Sequence, residues 1–189
     1  LELAYKFFKK PIINALSDLS HPCQAISDIY TLKENFGTID NLNIVWMGDM
    51  NNVLFSLLEV VDFTKNTKID VFTDRKIYSQ NKDKFNLNNH IHFHFEIDEN
   101  IISKANCIMT DVFTSMNDKE DKEKILSKFQ VNDKIMSMTD EKSVFMHCLP
   151  AKIGSEVTHD VIKGKKSIVL TQAKNRLVAQ KGILKWLSI

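Results

Sequence analysis

The segment FMHCLPA, residues 145–151, places a histidine next to a cysteine at the end of an apolar stretch. An imidazole and a thiol can form a nucleophilic pair, in which the histidine removes the proton of the cysteine. Adjacent residues of a β-strand point to opposite faces of the sheet, so direct activation of Cys148 by His147 is not expected unless the strand ends first. The alternative is a buried cysteine that packs as a small hydrophobic residue.

Two more segments carry polar side chains that could contact a ligand. In SHPCQ, His21 and Gln24 could donate hydrogen bonds to a carbonyl oxygen, or they could simply begin a helix. In WMGDMNN, the turn lacks the GxGxxG pattern of dinucleotide folds, which disfavours a nucleotide site. Asp49 and the two asparagines could all cap the next helix, but two amides are more than a cap requires. Asn52 is therefore a candidate ligand contact.

Two charged residues complete the candidate set. TDVFTSMN places Asp111 at the tip of a predicted strand, followed by Ser115 and Met116. An aspartate in that position usually forms a turn or caps a helix, but beside a crevice its carboxylate can hold an ammonium group. Arg176, in NRLVAQK, lies near the start of the last predicted helix. It matters for function only if that end of the helix faces the crevice.

The alternating histidines of HIHFHFE suggest a different kind of site. His90, His92 and His94 fall on one face of a predicted strand, and such a row can bind zinc when another ligand completes it. No further histidine or cysteine has an obvious ligand spacing with them. We therefore favour a half-exposed strand with an imidazole face and keep a zinc site as the alternative.

The elements around these residues must position them. Short apolar stretches alternate with helical patterns, which predicts an α/β fold: a doubly wound parallel sheet with helices on both faces, as in Rossmann-like domains. The predicted strands are NLNIVWMGD, KIDVFTD, HIHFHFEI, NCIMTDV, SVFMHC and KSIVLTQ. Helices are predicted over residues 1–10, 24–36, 51–65, 98–105, 117–130 and 174–187. In such folds ligands bind outside the carboxyl ends of the strands, where the polar strand tips would meet.

Composition narrows the range of partners. The chain has 25 basic and 24 acidic residues and a net charge of +1, which gives no reason to expect nucleic acid or an anionic membrane. No apolar run reaches the roughly 18 residues that span a bilayer. The three cysteines form no CxxC pair, which argues against a disulfide framework and fits a reducing, cytoplasmic compartment.

Several segments resemble, in their order along the chain, the successive motifs of the carbamoyltransferases: NALSDLSHPCQAISDIYTLKE, WMGDMNNV, TDVFTSMN, MHCLPA and NRLVAQKGIL. HCLP and DxxxSM resemble the ornithine branch of the family. The resemblance implies that residues 1–36 are the end of a carbamoyl-phosphate domain with an interdomain helix. Residues 37–170 would be the ornithine-binding α/β domain, and residues 171–189 a helix returning towards the first domain.

The resemblance also implies a reaction and its residues. Ornithine and carbamoyl phosphate would give citrulline and phosphate, with no metal or organic cofactor, in an enzyme that is a homotrimer when complete. His21 and Gln24 would contact the carbamoyl group, and Arg176 would contact carbamoyl phosphate; with Cys148 these form the predicted catalytic set. The implied ornithine contacts are Asn52, Asp111, Ser115, Met116, Cys148 and Leu149.

Some features depart from the family pattern. The SxRTR phosphate motif of the family's first domain is not found, so we expect a fragment that shows no useful turnover alone. Asn117 stands where glycine is usual, and Gln172 and Lys174 replace an acidic pattern. Two alternatives to ornithine transfer therefore stay open. One is putrescine or another amine as acceptor, and the other is a non-catalytic amino-acid-binding domain.

Overall fold

The computed structural model describes residues 1–86, 88–114 and 121–188. Within these residues five strands form one sheet: β1 Asn43–Met47, β2 Lys68–Phe72, β3 Ile91–His94, β4 Cys107–Thr110 and β5 Val144–His147. The longer helices are α1 Glu2–Phe8, α2 Pro22–Phe36, α3 Asn52–Val61, α4 Arg75–Asn81 and α9 Val169–Leu187. Shorter helices are α5 Glu99–Ile102, α6 Glu123–Leu126, α7 Asp133–Met138 and α8 His159–Ile162, with 3₁₀ turns at Lys82–Lys84 and Ser127–Phe129.

The sheet has the order β3-β2-β1-β4-β5, and every neighbouring pair is parallel. The chain first winds outward from β1 to β3 and then crosses back to the other side of β1. Because such crossovers are right-handed, this reversal places helices on both faces of the sheet. The predicted α/β fold is confirmed, and the reversal creates a topological switch point between β1 and β4.

The predicted sixth strand, KSIVLTQ, is wrong. Ser167 forms only an isolated parallel bridge with Phe145, and α9 already begins at Val169. A short apolar run has no period that separates a strand from the first turn of a buried helix. Here the buried side chains of Gln172 and Asn175 bond to α2, which stabilises the helical alternative.

Strands β1, β4 and β5 are buried along nearly their whole length because helices cover both faces, whereas β2 and β3 also carry exposed or half-buried polar residues. In β1, Val45, Trp46 and Met47 are all buried, and the Trp46 indole N–H donates to the Asp49 carbonyl at 2.8 Å. That bond fixes the chain where it leaves β1 and turns towards α3.

Gly48 makes this turn possible. Its φ is +125°, a conformation that L-residues rarely adopt, and a Cβ at this position would lie 2.6 Å from the Phe113 ring. A larger residue would therefore strain the backbone and displace a buried ring from the sheet edge.

Two helices pack side by side at one edge of the domain. The Asn175 amide of α9 donates to Thr31 Oγ1 at 3.1 Å and to Glu34 Oε2 at 2.8 Å in α2. By contrast, α1 exposes its apolar residues, among them Phe7 and Phe8. None of the described helices combines the length and apolar character needed to cross a membrane.

We predict that Gly48→Ala lowers the free energy of unfolding by more than Gly37→Ala does. Gly37 also has a positive φ, +75°, but a Cβ there would meet nothing within 4 Å. Gly37→Ala is therefore the control, since it should lose roughly 1–2 kcal/mol from the left-handed backbone conformation alone, without a steric clash. Urea unfolding of both variants measures the difference, and equal losses of stability would contradict the role assigned to Phe113.

Candidate functional site

A cleft of about 570 Å³ opens at the carboxyl ends of β1, β4 and β5. It is lined by the predicted residues His21, Gln24, Asn52, Asp111, Cys148, Leu149 and Arg176. Ser115 and Met116, also predicted, lie outside the described residues, as does Asn117. The structure thus brings together predicted residues from α2, α3, α9 and two strand ends. Their roles in binding and catalysis stay predictions.

The two consecutive asparagines have different tasks. Asn51 is the N-cap of α3: its Oδ1 accepts from the backbone N–H groups of Val53 and Leu54, each at 3.1 Å. Asn52 is the first residue of the helix, and its Nδ2 donates to the Ser17 carbonyl at 2.7 Å. Asn52 therefore lines the cleft and also anchors the segment before α2, which sequence patterns did not single out.

The carboxylate of Asp111 is held by neutral donors. Its Oδ2 accepts from Asn51 Nδ2 at 2.8 Å, and its Oδ1 accepts from the Cys148 thiol at 3.1 Å. The side chain is largely buried but lines the cleft. Since neither partner carries positive charge, the negative charge of Asp111 remains available to a cationic ligand.

Cys148 is protonated at neutral pH. Burial raises the pKa of its thiol well above the ordinary value, and the negative charge of Asp111 raises it further. Because a thiolate, not a thiol, is the nucleophile, the site does not activate this cysteine for attack. It presents instead a hydrogen-bonding thiol fixed beside a carboxylate.

His147 does not form a pair with Cys148. Its buried Nδ1 accepts from the Leu149 backbone N–H at 2.9 Å, which leaves the proton on Nε2. Nε2 donates to the buried carboxylate of Glu156 at 3.0 Å, and Glu156 also accepts from the Lys152 backbone N–H at 2.6 Å. His147 and Glu156 therefore hold the turn that carries Leu149, whose φ is +56°, and the cis-bonded Pro150 into the cleft. Sequence patterns did not identify Glu156.

The opposite wall of the cleft carries an arginine and an amide. Arg176 Nη1 donates to Gln24 Oε1, and Gln24 Nε2 donates to Asp28 Oδ1 at 2.7 Å. Asp28 is fully buried, and burial raises the pKa of its carboxyl to about 7, against the opposing effects of its amide donors and of Arg176. Asp28 also escaped the sequence analysis, although its spacing of four residues from Gln24 places both on one helix face.

His21 lies at the N-terminal end of α2, with its backbone N–H donating to Ser56 Oγ at 2.7 Å. Burial lowers the pKa of its imidazole, and the positive charge of Arg176 lowers it further; the Ala15 carbonyl and Asp111 act in the opposite direction. Since the unperturbed value is already below 7, the ring is neutral at neutral pH. A neutral imidazole can donate one hydrogen bond and accept another.

His90, His92 and His94 do not gather into a metal site within the described residues. His94 Nε2 bonds to Asp70 at 2.7 Å, while His92 is exposed. Elsewhere in the described part of the chain, Asp111, His147 and Cys148 form a cluster of potential metal ligands, with their ligand atoms within 4.8 Å of one another. Both ring nitrogens of His147 are already used by Leu149 and Glu156, so this cluster is a hydrogen-bonded group and not an open set of metal ligands.

Comparison with known proteins gives a consistent result. A family model described as "Aspartate/ornithine carbamoyltransferase, Asp/Orn binding domain" matches residues 40–187. The ornithine carbamoyltransferase of Brucella abortus is 41% identical over 191 residues, which cover 98% of this chain and 60% of that protein. The enzyme of the same name from Rhodopseudomonas palustris is 39% identical over 189 residues, again 60% of its length.

Solved structures agree with the sequence relatives. The ornithine carbamoyltransferase of Thermus thermophilus superposes with a TM-score of 0.84 at 35% identity, covering 98% of this chain and 62% of that one. The Pyrococcus furiosus enzyme has a TM-score of 0.82 at 37% identity, covering 97% and 61%. The chain therefore spans about three fifths of the length of the relatives it matches.

The raised pKa of Asp28 predicts a pH-dependent stability. The folded protein binds the proton at a pKa of about 7, against 3.8 without the shift, so the free energy of unfolding falls as pH rises between these values. This loss of stability is complete above the pKa of the folded state and amounts to at most about 4 kcal/mol. Asp28→Asn removes this titration, and the thiols of Cys107 and Cys148, whose pKa Asp28 also raises, titrate well above this range.

Urea unfolding of wild type and Asp28→Asn, at about pH 5 and about pH 8, tests this linkage. The free energy of unfolding of wild type, minus that of the variant, should be smaller at about pH 8 than at about pH 5. A stability difference that does not change with pH would show that Asp28 has no such raised pKa.

Proposed function

The chain belongs to the aspartate/ornithine carbamoyltransferase family, and on that premise we propose that it is the amino-acid-binding half of an ornithine carbamoyltransferase. The proposed reaction transfers the carbamoyl group of carbamoyl phosphate to the δ-amine of L-ornithine and gives L-citrulline and phosphate. We propose the cytoplasm as its location, with the complete protein acting as a homotrimer. This would place the enzyme in arginine biosynthesis or the urea cycle.

The observation that carries the proposal is the opposite charge of the two walls of the cleft. Arg176 and the Gln24 amide lie on the wall formed by α2 and α9, while Asp111 lies at the end of β4. An anionic carbamoyl donor suits the first wall, and an amino acid with ammonium groups suits the second. Binding both substrates in one cleft would supply proximity between the amine and the carbamoyl carbon.

The nucleophile of the proposed reaction is the neutral δ-amine, although free ornithine carries it protonated. A desolvated cleft favours the neutral form because burial penalises charge. Asp111 and the Cys148 thiol orient either that amine or the neighbouring ammonium. Since the thiol is held protonated, Cys148 acts as a positioning group and forms no covalent intermediate.

The transfer step forms one bond and breaks another. The amine lone pair attacks the carbamoyl carbon, the C–N bond forms, and negative charge develops on the carbonyl oxygen. Arg176 and the neutral His21 supply donors to that oxygen, and one such donor is typically worth about 2.7–4 kcal/mol. The C–O bond to phosphate then breaks, the proton of the attacking amine passes to the leaving phosphate, and citrulline and hydrogen phosphate result. These steps use no metal or organic cofactor.

A non-catalytic amino-acid-binding role is the second candidate, and the composition of the cleft favours it for the chain alone. Among the described residues that line the cleft, Arg176 is the only arginine or lysine. The phosphate end of carbamoyl phosphate carries about two negative charges and calls for more cationic partners. A diamine such as putrescine remains an alternative acceptor, because Asn117 departs from the family pattern directly after Ser115 and Met116 in the sequence.

We predict that Asp111→Asn weakens amino-acid binding at least tenfold, because a hydrogen bond to a charged group is worth about 1.5–3 kcal/mol. Calorimetry with ornithine and with norvaline, which lacks the δ-amine, locates the contact. Loss for both ligands assigns Asp111 to the α-ammonium, and loss for ornithine alone assigns it to the δ-amine. Asp74→Asn is the matched control, since Asp74 follows β2 and caps α4 away from the cleft. Unchanged affinity in Asp111→Asn would contradict the proposed pocket.

We also predict that the purified 189-residue chain forms no useful amount of citrulline from ornithine and carbamoyl phosphate. The reason is that Arg176 is the only arginine or lysine among the described residues that line the cleft. A steady-state assay with ornithine and with putrescine measures both products. Turnover comparable to that of a full-length relative would refute this expectation, and carbamoylputrescine as the main product would identify the alternative acceptor.

A further inference from the structure

One buried carboxylate oxygen joins three elements beside the cleft. Asp28 Oδ1 accepts from Gln24 Nε2 within α2 and from Gln172 Nε2 of α9, both at 2.7 Å. The Gln172 amide oxygen in turn accepts from the backbone N–H of His147, the last residue of β5, at 2.9 Å. Asp28 is therefore the common acceptor of the two helices that form one wall of the cleft.

The chemistry of this acceptor fixes the orientation of Gln24. A side-chain amide has a donor end and an acceptor end, whereas an ionised carboxylate only accepts. Above its pKa of about 7, where it is ionised, Asp28 therefore binds the nitrogen of Gln24, and the amide oxygen must face the other way. There it accepts from Arg176 Nη1 at the cleft.

We propose that Asp28 is a positioning residue for the carbamoyl group: it holds the Gln24 amide so that Oε1 can accept an N–H of the carbamoyl nitrogen. This proposal rests on the proposed function, since it assumes a carbamoyl donor in the cleft. Asp28 itself lines no part of the cleft and acts only through Gln24.

A purely structural role explains Asp28 less well. Its second oxygen, Oδ2, is buried without a hydrogen-bond partner in the described part of the chain, so the carboxylate is only half satisfied. Burial disfavours its charge, as the raised pKa shows. An asparagine could join α2 to α9 at lower cost, but its own donor end could pair with either end of the Gln24 amide and would leave only Arg176 to fix the orientation. The carboxylate permits only one orientation.

Asp28→Asn is the test variant because it preserves size and removes the strict acceptor. Thr31→Val is the matched control: Thr31 is buried in the same helix, and its hydroxyl bonds to Asn175 and to the Ser27 carbonyl but not to Gln24. The probes are phosphonoacetamide, a carbamoyl phosphate analogue with a methylene in place of the bridging oxygen, and methylphosphonate, which lacks the carbamoyl group.

At about pH 8, where Asp28 is ionised, we expect Asp28→Asn to weaken phosphonoacetamide binding about tenfold, the effect of one misplaced hydrogen bond, and to leave methylphosphonate unaffected. Thr31→Val should change neither affinity. In a Gln24→Ala background, Asp28→Asn should cause no further loss, because residues that act through one contact are not additive. Equal loss with both probes, equal loss in Thr31→Val, or an additive loss in the double variant would overturn the proposal.

A second measurement separates this proposal from the proposed function. The side-chain amide NMR signal of Gln24, assigned by its loss in Gln24→Ala, should shift or split in Asp28→Asn and stay in place in Thr31→Val. If wild type binds neither probe, the chain alone does not hold a carbamoyl donor, but this signal still decides the positioning. An unmoved Gln24 signal in Asp28→Asn would refute it.

Discussion

Parallel pairing of β1 with both β2 and β4 is the constraint on which the rest of the structure depends. Because all strands run the same way, every chain segment that follows a strand emerges at one edge of the sheet. The reversal of winding beside β1 sends the helices after β1 and β4 to opposite faces and leaves a crevice between them. Asp111 and Cys148, 37 residues apart, meet at hydrogen-bond distance because both directly follow a strand end.

The second wall of the cleft depends on helix pairing and not on the sheet. Gln24 and Arg176 are separated by 152 residues and meet because α9 packs along α2. Polar contacts fix the register of this pair: Gln172 to Asp28, and Asn175 to Thr31. A buried aspartate is a costly way to join two helices, since its carboxylate loses hydration that two amide donors only partly replace. The site thus accepts a loss of fold stability at the place where an amide orientation is fixed.

The sequence predicted the strands and their polar tips well, because apolar runs that end in Asp or His-Cys leave few other interpretations. The prediction of a strand at KSIVLTQ was wrong, because buried polar residues of the following turn stabilise a helix there. The helices α4, α7 and α8 were not predicted. Asp28 and Glu156 escaped notice for a related reason. A buried carboxylate looks like any surface acid in a sequence until its amide or imidazole partners are known, and those partners come from other elements.

The contrast between His147 and Cys148 shows how strand geometry divides chemistry between two sides of a sheet. His147 is turned inward, where its Nε2–H donates to Glu156 and its Nδ1 accepts from the Leu149 backbone N–H, so that the ring supports the turn. Cys148 is turned to the cleft, where burial and the Asp111 carboxylate keep its proton in place. A bound ammonium at Asp111 would offset the charge contribution to the thiol pKa but not the burial contribution, which is the larger of the two. The thiol would therefore stay protonated with an ammonium group bound, and under the proposed function Cys148 would form no covalent intermediate.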